Sequence, residues 1–255
     1  MAPQHPRLDE RLVLDGLAES RAKAQALVMA GRVRVDGVVA DKPGTRVKPG
    51  AAVSLQGPAS RFVSRGGDKL AGALDELGID PAGLGCLDVG ASTGGFTDCL
   101  LQRGARRVVA VDVGHGQLHE KLRADPRVVV VERANARHLE ASALAGEQPE
   151  LVVVDVSFIS LRLVLPRLAA LAPEADWLLL VKPQFEVGRE QVGAGGVVRD
   201  DALRRAAAGA VRAAAEALGW RWRGEVESRV AGPKGNREIF LWLRAPAPGG
   251  ARTSS

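Results

Sequence analysis

The chain has 255 residues, 46% of them hydrophobic, with 35 Lys and Arg against 30 Asp and Glu, which fits a folded globular protein. No apolar run approaches the ~18 residues of a membrane span, and the opening MAPQHPRLDE is too polar for a secretory signal, so a cytoplasmic protein is expected. Residues 1–69 hold 12 basic and 7 acidic side chains and the remainder 23 of each, so the whole net charge of +5 sits in the first quarter, where it suits a polyanionic partner or an ordinary solubility charge.

This asymmetry predicts a small basic unit joined to a neutral body large enough for its own core. Leu8, Leu12 and Val13 mark one face of a first helix. Ser20 is placed to cap a second helix that turns Ala24, Leu27 and Val28 inward and stops at Gly31. Val33 and Val35 alternate with Arg32 and Arg34, and Asp36-Gly37 signals a two-residue hairpin before Val38-Val39. The expected division is a small domain over 1–57, a linker over 58–63, a body over 64–245 and a disordered tail over 246–255. In the body, apolar runs at 86–89, 108–111, 128–131, 151–154 and 178–181 alternate with helical stretches, which predicts an α/β fold: a parallel sheet with helices on both faces. An Ala-rich helix over 201–218 and strands near 226–228 and 239–243 follow. Cys86 and Cys99 lie 13 apart in apolar surroundings with no CxxC pair, which predicts structural thiols. His115 and His119 stand in HGQLHE, without the HExxH order or a third ligand, so no metal site is expected.

The strongest local signal is LDVGASTGGFTD at 87–98, where a strand enters Asp88 and Gly90, a loop of Ala91, Ser92, Thr93, Gly94 and Gly95 follows, and a helix starts near Phe96. Such a loop lets backbone approach a nucleotide-like ligand at the carboxyl end of a parallel strand. The next strand ends at Asp112, 22 residues after Gly90, where a carboxylate accepts the two hydroxyls of a ribose. The loop departs from GxGxxG, because its third position is not glycine, and this favours S-adenosylmethionine over a dinucleotide; a nicotinamide cofactor and a purely structural glycine turn are the alternatives. Asn135, after the third strand, is a candidate for reading an adenine edge or for capping a turn.

Several blocks then resemble one family. Residues 7–37, RLDERLVLDGLAESRAKAQALVMAGRVRVDG, are similar to an alpha-L type RNA-binding domain, while SRGGDKL, LDVGASTGGFTDCLLQ, DVSFISL, VKPQFEVGR and GPKGNREI resemble the FtsJ-like methyltransferase domain. Together they resemble the TlyA family of ribosomal RNA 2′-O-methyltransferases, also called haemolysin A. The resemblance implies a Rossmann-like sheet with an antiparallel last strand and a cytidine ribose as substrate. It also implies a catalytic tetrad of Lys69, Asp155, Lys182 and Glu238, with Asp155 touching the cofactor as well.

A ribose 2′-hydroxyl is a poor nucleophile until its proton leaves. Lys182, at the end of an apolar strand, serves either as a neutral base or as a cation that stabilises developing negative charge. Arg7, Arg11, Arg21, Lys23, Arg32 and Arg34, with Ser20 and Arg65, form the candidate RNA-binding set, suited to phosphate contacts on structured RNA. Aromatics are 4% of the chain and Tyr is absent, so stacking platforms are expected to be scarce. A monomer acting on rRNA without metal is expected; an inactive RNA-binding protein and a membrane-lytic protein are the competing readings.

Overall fold

The computed structural model describes residues 5–29, 31–55, 61–232 and 234–246. In the N-terminal unit, helices α1 (Leu8–Leu14) and α2 (Arg21–Met29) pack on strands β1 (Val33–Val35), β2 (Val38–Val39) and β3 (Val53–Leu55), which pair antiparallel in the order β2-β1-β3. Its core is Leu8, Leu12, Ala24, Val28, Val33 and Val47. Val13 points outward and is 36% exposed, unlike the face expected for α1, because Leu8 and Leu12 already fill the contact with α2. Sequence reading missed β3, since Val53 and Leu55 form too short a run to register as a strand.

The body runs α3 (Arg65–Leu77), β4 (Gly85–Val89), α4 (Gly95–Gln102), β5 (Arg107–Val111), α5 (Glu120–Arg123), β6 (Val128–Val131), β7 (Leu151–Val154), α6 (Leu165–Leu171), β8 (Asp176–Val181), α7 (Asp201–Ala217), β9 (Arg221–Glu227) and β10 (Ile239–Arg244). Seven strands form one sheet in the order β6-β5-β4-β7-β8-β10-β9. Strands β4 to β8 are parallel, and β10 pairs antiparallel with both β8 and β9. Because alternate residues of a strand face opposite sides, Leu87, Val109, Val152, Leu179 and Leu241 build one core with α6 and α7. Cys86, Val108, Val153, Leu180 and Phe240 build the other with α3 and α4. Cys86 and Cys99 are free, and burial pushes each thiol up to about 12, as structural thiols behave.

Half of the expected linker, 58–60, and nearly all of the expected tail fall outside the described residues. The rest of the linker belongs to the body: the Val63 N–H donates to Asp98 at 2.8 Å and the Gln102 amide donates to the Arg61 carbonyl at 3.0 Å.

Trp177 of β8 and Trp220, just after α7, stack with ring centroids 3.8 Å apart, and the Trp220 indole donates to the Ala175 carbonyl at 2.9 Å. This contact locks α7 onto the strand that carries Lys182. Trp220→Ala is expected to lower unfolding free energy by about 3–5 kcal/mol, read by urea denaturation; a change below about 1 kcal/mol would show that the stack contributes little.

Candidate active site

The carboxyl ends of the parallel strands open into a cleft of about 1060 Å³. Strand order reverses between β4 and β7, and this is where doubly wound sheets bind ligands. Asp155 directly follows β7 and Lys182 directly follows β8. Glu238 directly precedes β10, whose Ile239 pairs with Val181; an antiparallel strand starts where its parallel neighbours end, which brings Glu238 to the same edge. Lys69 lies on α3, one turn after Arg65. The structure therefore brings together all four expected tetrad residues from four separate elements.

They form two close ion pairs. Lys69 Nζ donates to Glu238 Oε2 at 2.6 Å, with the two side chains 9% and 1% exposed. Lys182 Nζ lies 2.5 Å from Asp155 Oδ1 and donates to the Ser157 hydroxyl at 2.8 Å. Burial raises the Glu238 carboxyl above its ordinary range, and the neighbouring Lys69 ammonium opposes the shift. Charges this dry persist only when paired, so each lysine depends on its carboxylate for its place in the wall.

The glycine loop lies alongside. Gly90 has φ +90, and a Cβ there would come within 2.6 Å of the Asp155 carbonyl oxygen, so a side chain would push the loop off the tetrad strand. Gly94 also has a positive φ, but it packs on Leu118 and Leu122, away from the cleft. Ala91, Ser92, Thr93, Gly95 and Phe96 line the cleft, joined by Gln117. Asp112 accepts the Ser92 N–H at 2.8 Å on one oxygen and the Gly114 N–H at 2.6 Å on the other, which shapes the loop rim.

Four expected cofactor residues do not line the cleft: Gly94; Asp112, whose two carboxylate oxygens each accept a backbone N–H instead of standing free for a ribose; and Asp88 and Asn135. Asp88 is fully buried beneath the loop and accepts the Thr97 hydroxyl at 2.6 Å; as an inward-facing strand residue it supports the loop from below and does not line the cleft. Asn135 accepts the Arg137 N–H at 3.0 Å and caps the 3-10 turn Ala136–His138, beside a separate shallow recess shared with Arg133 and His138.

The basic set is also more compensated than its sequence suggests. Arg7 and Arg21 both bond the fully buried Asp9, which they and Gln25 hold well below the usual carboxylate range. Arg11 pairs with Asp15, Lys23 with Glu19, and Arg34 donates to the Gly37 carbonyl at 2.6 Å. Ser20 accepts the Lys23 N–H at 3.2 Å, which is a helix cap. Arg32 is half-buried beside β1. Arg65 lines the cleft beside Lys42, and burial draws its guanidinium below its ordinary value, against the pull of Asp41 and Glu238. It lies so close to Gly31 that a Cβ at residue 31 would meet its side chain, so this glycine lets the N-terminal unit approach the cleft.

Sequence reading passed over Ser157, Phe158, Phe185 and Glu186. All four lie inside the quoted blocks, but nothing in their spacing marks a role. Phe158 is 91% exposed at the cleft rim with φ +67, and its ring centroid lies 5.3 Å from that of Phe185.

A mostly parallel sheet with an antiparallel β10, a glycine loop after its first strand and a buried Lys-Asp-Lys-Glu cluster define a Rossmann-like methyltransferase, whose cofactor is S-adenosylmethionine. The FtsJ-like methyltransferase model matches residues 62–245 and the S4 domain model residues 6–53, and the chain belongs to the FtsJ-like methyltransferase family, in its S4-bearing TlyA branch. It is 54% identical over 240 residues to a Mycobacterium tuberculosis protein named 16S/23S rRNA (cytidine-2′-O)-methyltransferase TlyA, covering 93% of this chain and 89% of that one. It is 41% identical to Hemolysin A of Brachyspira hyodysenteriae over 92% of this chain and 98% of that one. A solved Streptococcus thermophilus structure carrying a hemolysin name superposes with TM-score 0.75 at 41% identity, over 96% of this chain and 90% of that one.

Burial pushes the Asp88 carboxyl up to about 7, with Thr97 pulling the other way. A carboxyl whose pKa is raised in the fold stabilises it fully below its unfolded value near 3.8, and that contribution is lost as pH rises through about 7. Asp88→Asn is therefore expected to raise the melting temperature relative to wild type more at pH 8 than at pH 5. An equal effect at both pH values would contradict the buried acid.

Proposed function

We propose that the chain methylates the ribose 2′-hydroxyl of a cytidine in ribosomal RNA, with Lys69, Asp155, Lys182 and Glu238 as the reacting wall. The observation that carries this reading is the convergence of two close lysine–carboxylate pairs, one buried and the other nearly so, on the edge of the cleft that the glycine loop also lines. The names of the relatives that match nearly the whole chain supply the substrate class.

The cleft suits the cofactor: Gly90, Ala91, Ser92, Thr93 and Gly95 line it with little side chain, and Gly90 packs the loop directly on the Asp155 backbone. Backbone groups of residues 90–93 and Asp155 would hold S-adenosylmethionine, with Asp112 fixing the loop rim. When bound, S-adenosylmethionine supplies a methyl group already activated as a sulfonium. What remains for the protein is to align the 2′-oxygen and to offset the charge it develops.

Lys182 stands at the centre of that task. Its amine faces an Asp155 carboxylate oxygen at 2.5 Å and donates to the Ser157 hydroxyl, a placement suited to orienting the 2′-hydroxyl and offsetting the charge it develops, and that is its role in this reading. Lys69 and Glu238 fix the electrostatics of the opposite side. Phe158, exposed at the rim, offers a face on which the target base stacks. The S4 domain positions structured rRNA through its shape and phosphates, with Arg65 and Lys42 at the entrance to the cleft. In this reading the enzyme acts in the cytoplasm as a monomer and needs no metal. Among the described residues no helix is long and apolar enough to cross a membrane.

Labelled S-adenosylmethionine incubated with naked rRNA, separate subunits and whole ribosomes, followed by mapping of the modified nucleotide, tests the substrate directly. Lys182→Ala is expected to abolish transfer while leaving cofactor affinity within about twofold, and full retained activity would sink the assignment. A wild-type single-turnover rate flat from pH 6 to 9 fits the orienting role. A rate that rises tenfold per pH unit would establish the base role instead.

A further inference from the structure

The loops that leave β7 and β8 are tied together at both ends. Near their roots, Lys182 forms an ion pair with Asp155 and donates to the Ser157 hydroxyl. At their far ends the link is Glu186, four residues after Lys182, whose side chain is 1% exposed. One of its carboxylate oxygens accepts the Leu161 backbone N–H at 2.6 Å. The other accepts the Ser160 hydroxyl at 2.6 Å and the Arg162 guanidinium at 3.4 Å. Arg162 also donates to the Glu186 backbone carbonyl at 3.2 Å. Ser160 caps the 3-10 turn Leu161–Leu163 by accepting the Arg162 N–H, and the Glu186 carboxylate of the neighbouring loop holds both that cap and the first N–H of the turn.

Burying a carboxylate costs several kcal/mol unless directional bonds replace water. A leucine of similar size would fill the space but leave the Leu161 N–H without its acceptor and the two loops untied. The segment that Glu186 closes off contains Asp155, Ser157 and Phe158, and its own segment contains Lys182 and Phe185. The facing rings of Phe158 and Phe185 bridge the same two loops on the cleft side.

We infer that Glu186 is a positioning residue that closes loops 155–161 and 182–186 into one frame and so holds the Lys182 ammonium between Asp155 and Ser157. The inference rests on the tetrad reading given above. Glu186 itself has no contact with the reacting groups; it acts through the backbone of both loops. Misplacing a reacting group by about 1 Å costs up to about 100-fold in rate, and that is the scale of effect the frame guards against.

The test uses the full-length enzyme with its rRNA substrate and follows kcat, KM for RNA, cofactor affinity and melting temperature. Glu186→Ala is expected to lower kcat about 10- to 100-fold, with KM and cofactor affinity within about twofold of wild type. Glu186→Gln keeps the shape and one acceptor for the Leu161 N–H, and is expected to recover part of the rate. Ser160→Ala, which removes the hydroxyl bond to Glu186 together with the Ser160 cap on the Arg162 N–H and its contact with the Arg162 guanidinium but leaves the Glu186–Leu161 bond, should show a smaller loss of kcat in the same direction. If Glu186→Ala does not fold, the two milder variants carry the comparison.

An unchanged kcat in these variants overturns the inference. So does a loss that appears in KM or cofactor affinity instead, or one that follows the melting temperature without rescue by glutamine. Lys182→Ala and Asp155→Ala run alongside as controls. If both retain transfer, the tetrad reading fails whatever Glu186 does. If both are inactive while the Glu186 variants behave as wild type, the positioning inference alone fails.

Discussion

A charge removed from water must be paired, and the cleft edge of this sheet is built around that constraint. Lys69, Lys182 and Glu238 are buried, Asp155 nearly so, and each has its opposite within 2.6 Å. The arrangement depends on topology. Had β10 run parallel to β8, its first residue would lie at the far end of the sheet and Glu238 could not reach Lys69. The antiparallel return is what supplies the second carboxylate, and α3 supplies the lysine that it neutralises. An isolated ammonium in this wall would be strongly destabilising, so the pairs are conditions for folding.

The same edge carries the glycine loop, and the two are physically joined. The Gly90 backbone packs against the carbonyl of Asp155, while the Asp155 N–H donates to the Val89 carbonyl at 2.9 Å. The glycine loop and Asp155 therefore share one strand junction. Asp88 carries the cost of this junction: it lies dry beneath the loop with Thr97 as its hydrogen-bond donor, and burial lifts its carboxyl toward neutrality. A support under a ligand loop and a ligand of the cofactor need the same residue type, which is why sequence spacing could not separate the two roles for Asp88.

Much of the fold was legible because both periodicities are strong. The valine and leucine runs of β4 to β8 read directly as strands buried on both faces, and the alanine-rich α7 read as a helix. Short elements were less legible: β3 has three residues and no flanking pattern. In the site, Lys182 and Asp155 stood out by following apolar strands, whereas Lys69 and Glu238 are joined across 169 residues and came from resemblance. Asn135 and Ser20 are small polar residues that cap turns as readily as they bind ligands, and in this fold they cap. The basic cluster read as an open cationic patch because a sequence does not show that Asp9 collects Arg7 and Arg21. Phe158 and Glu186 were invisible for the opposite reasons: one gains meaning from exposure and a positive φ, the other from a buried carboxylate in a neighbouring loop.

The most direct test of this account is a double-mutant cycle on the buried pair, with stability and methyl transfer measured on the same samples. Lys69→Met and Glu238→Leu singly each strand a buried charge and are predicted to cost about 3–5 kcal/mol. The double variant, which removes both charges, is predicted to be more stable than either single yet no more active. Stability losses that simply add, or a double variant that still methylates RNA at the wild-type rate, would contradict it.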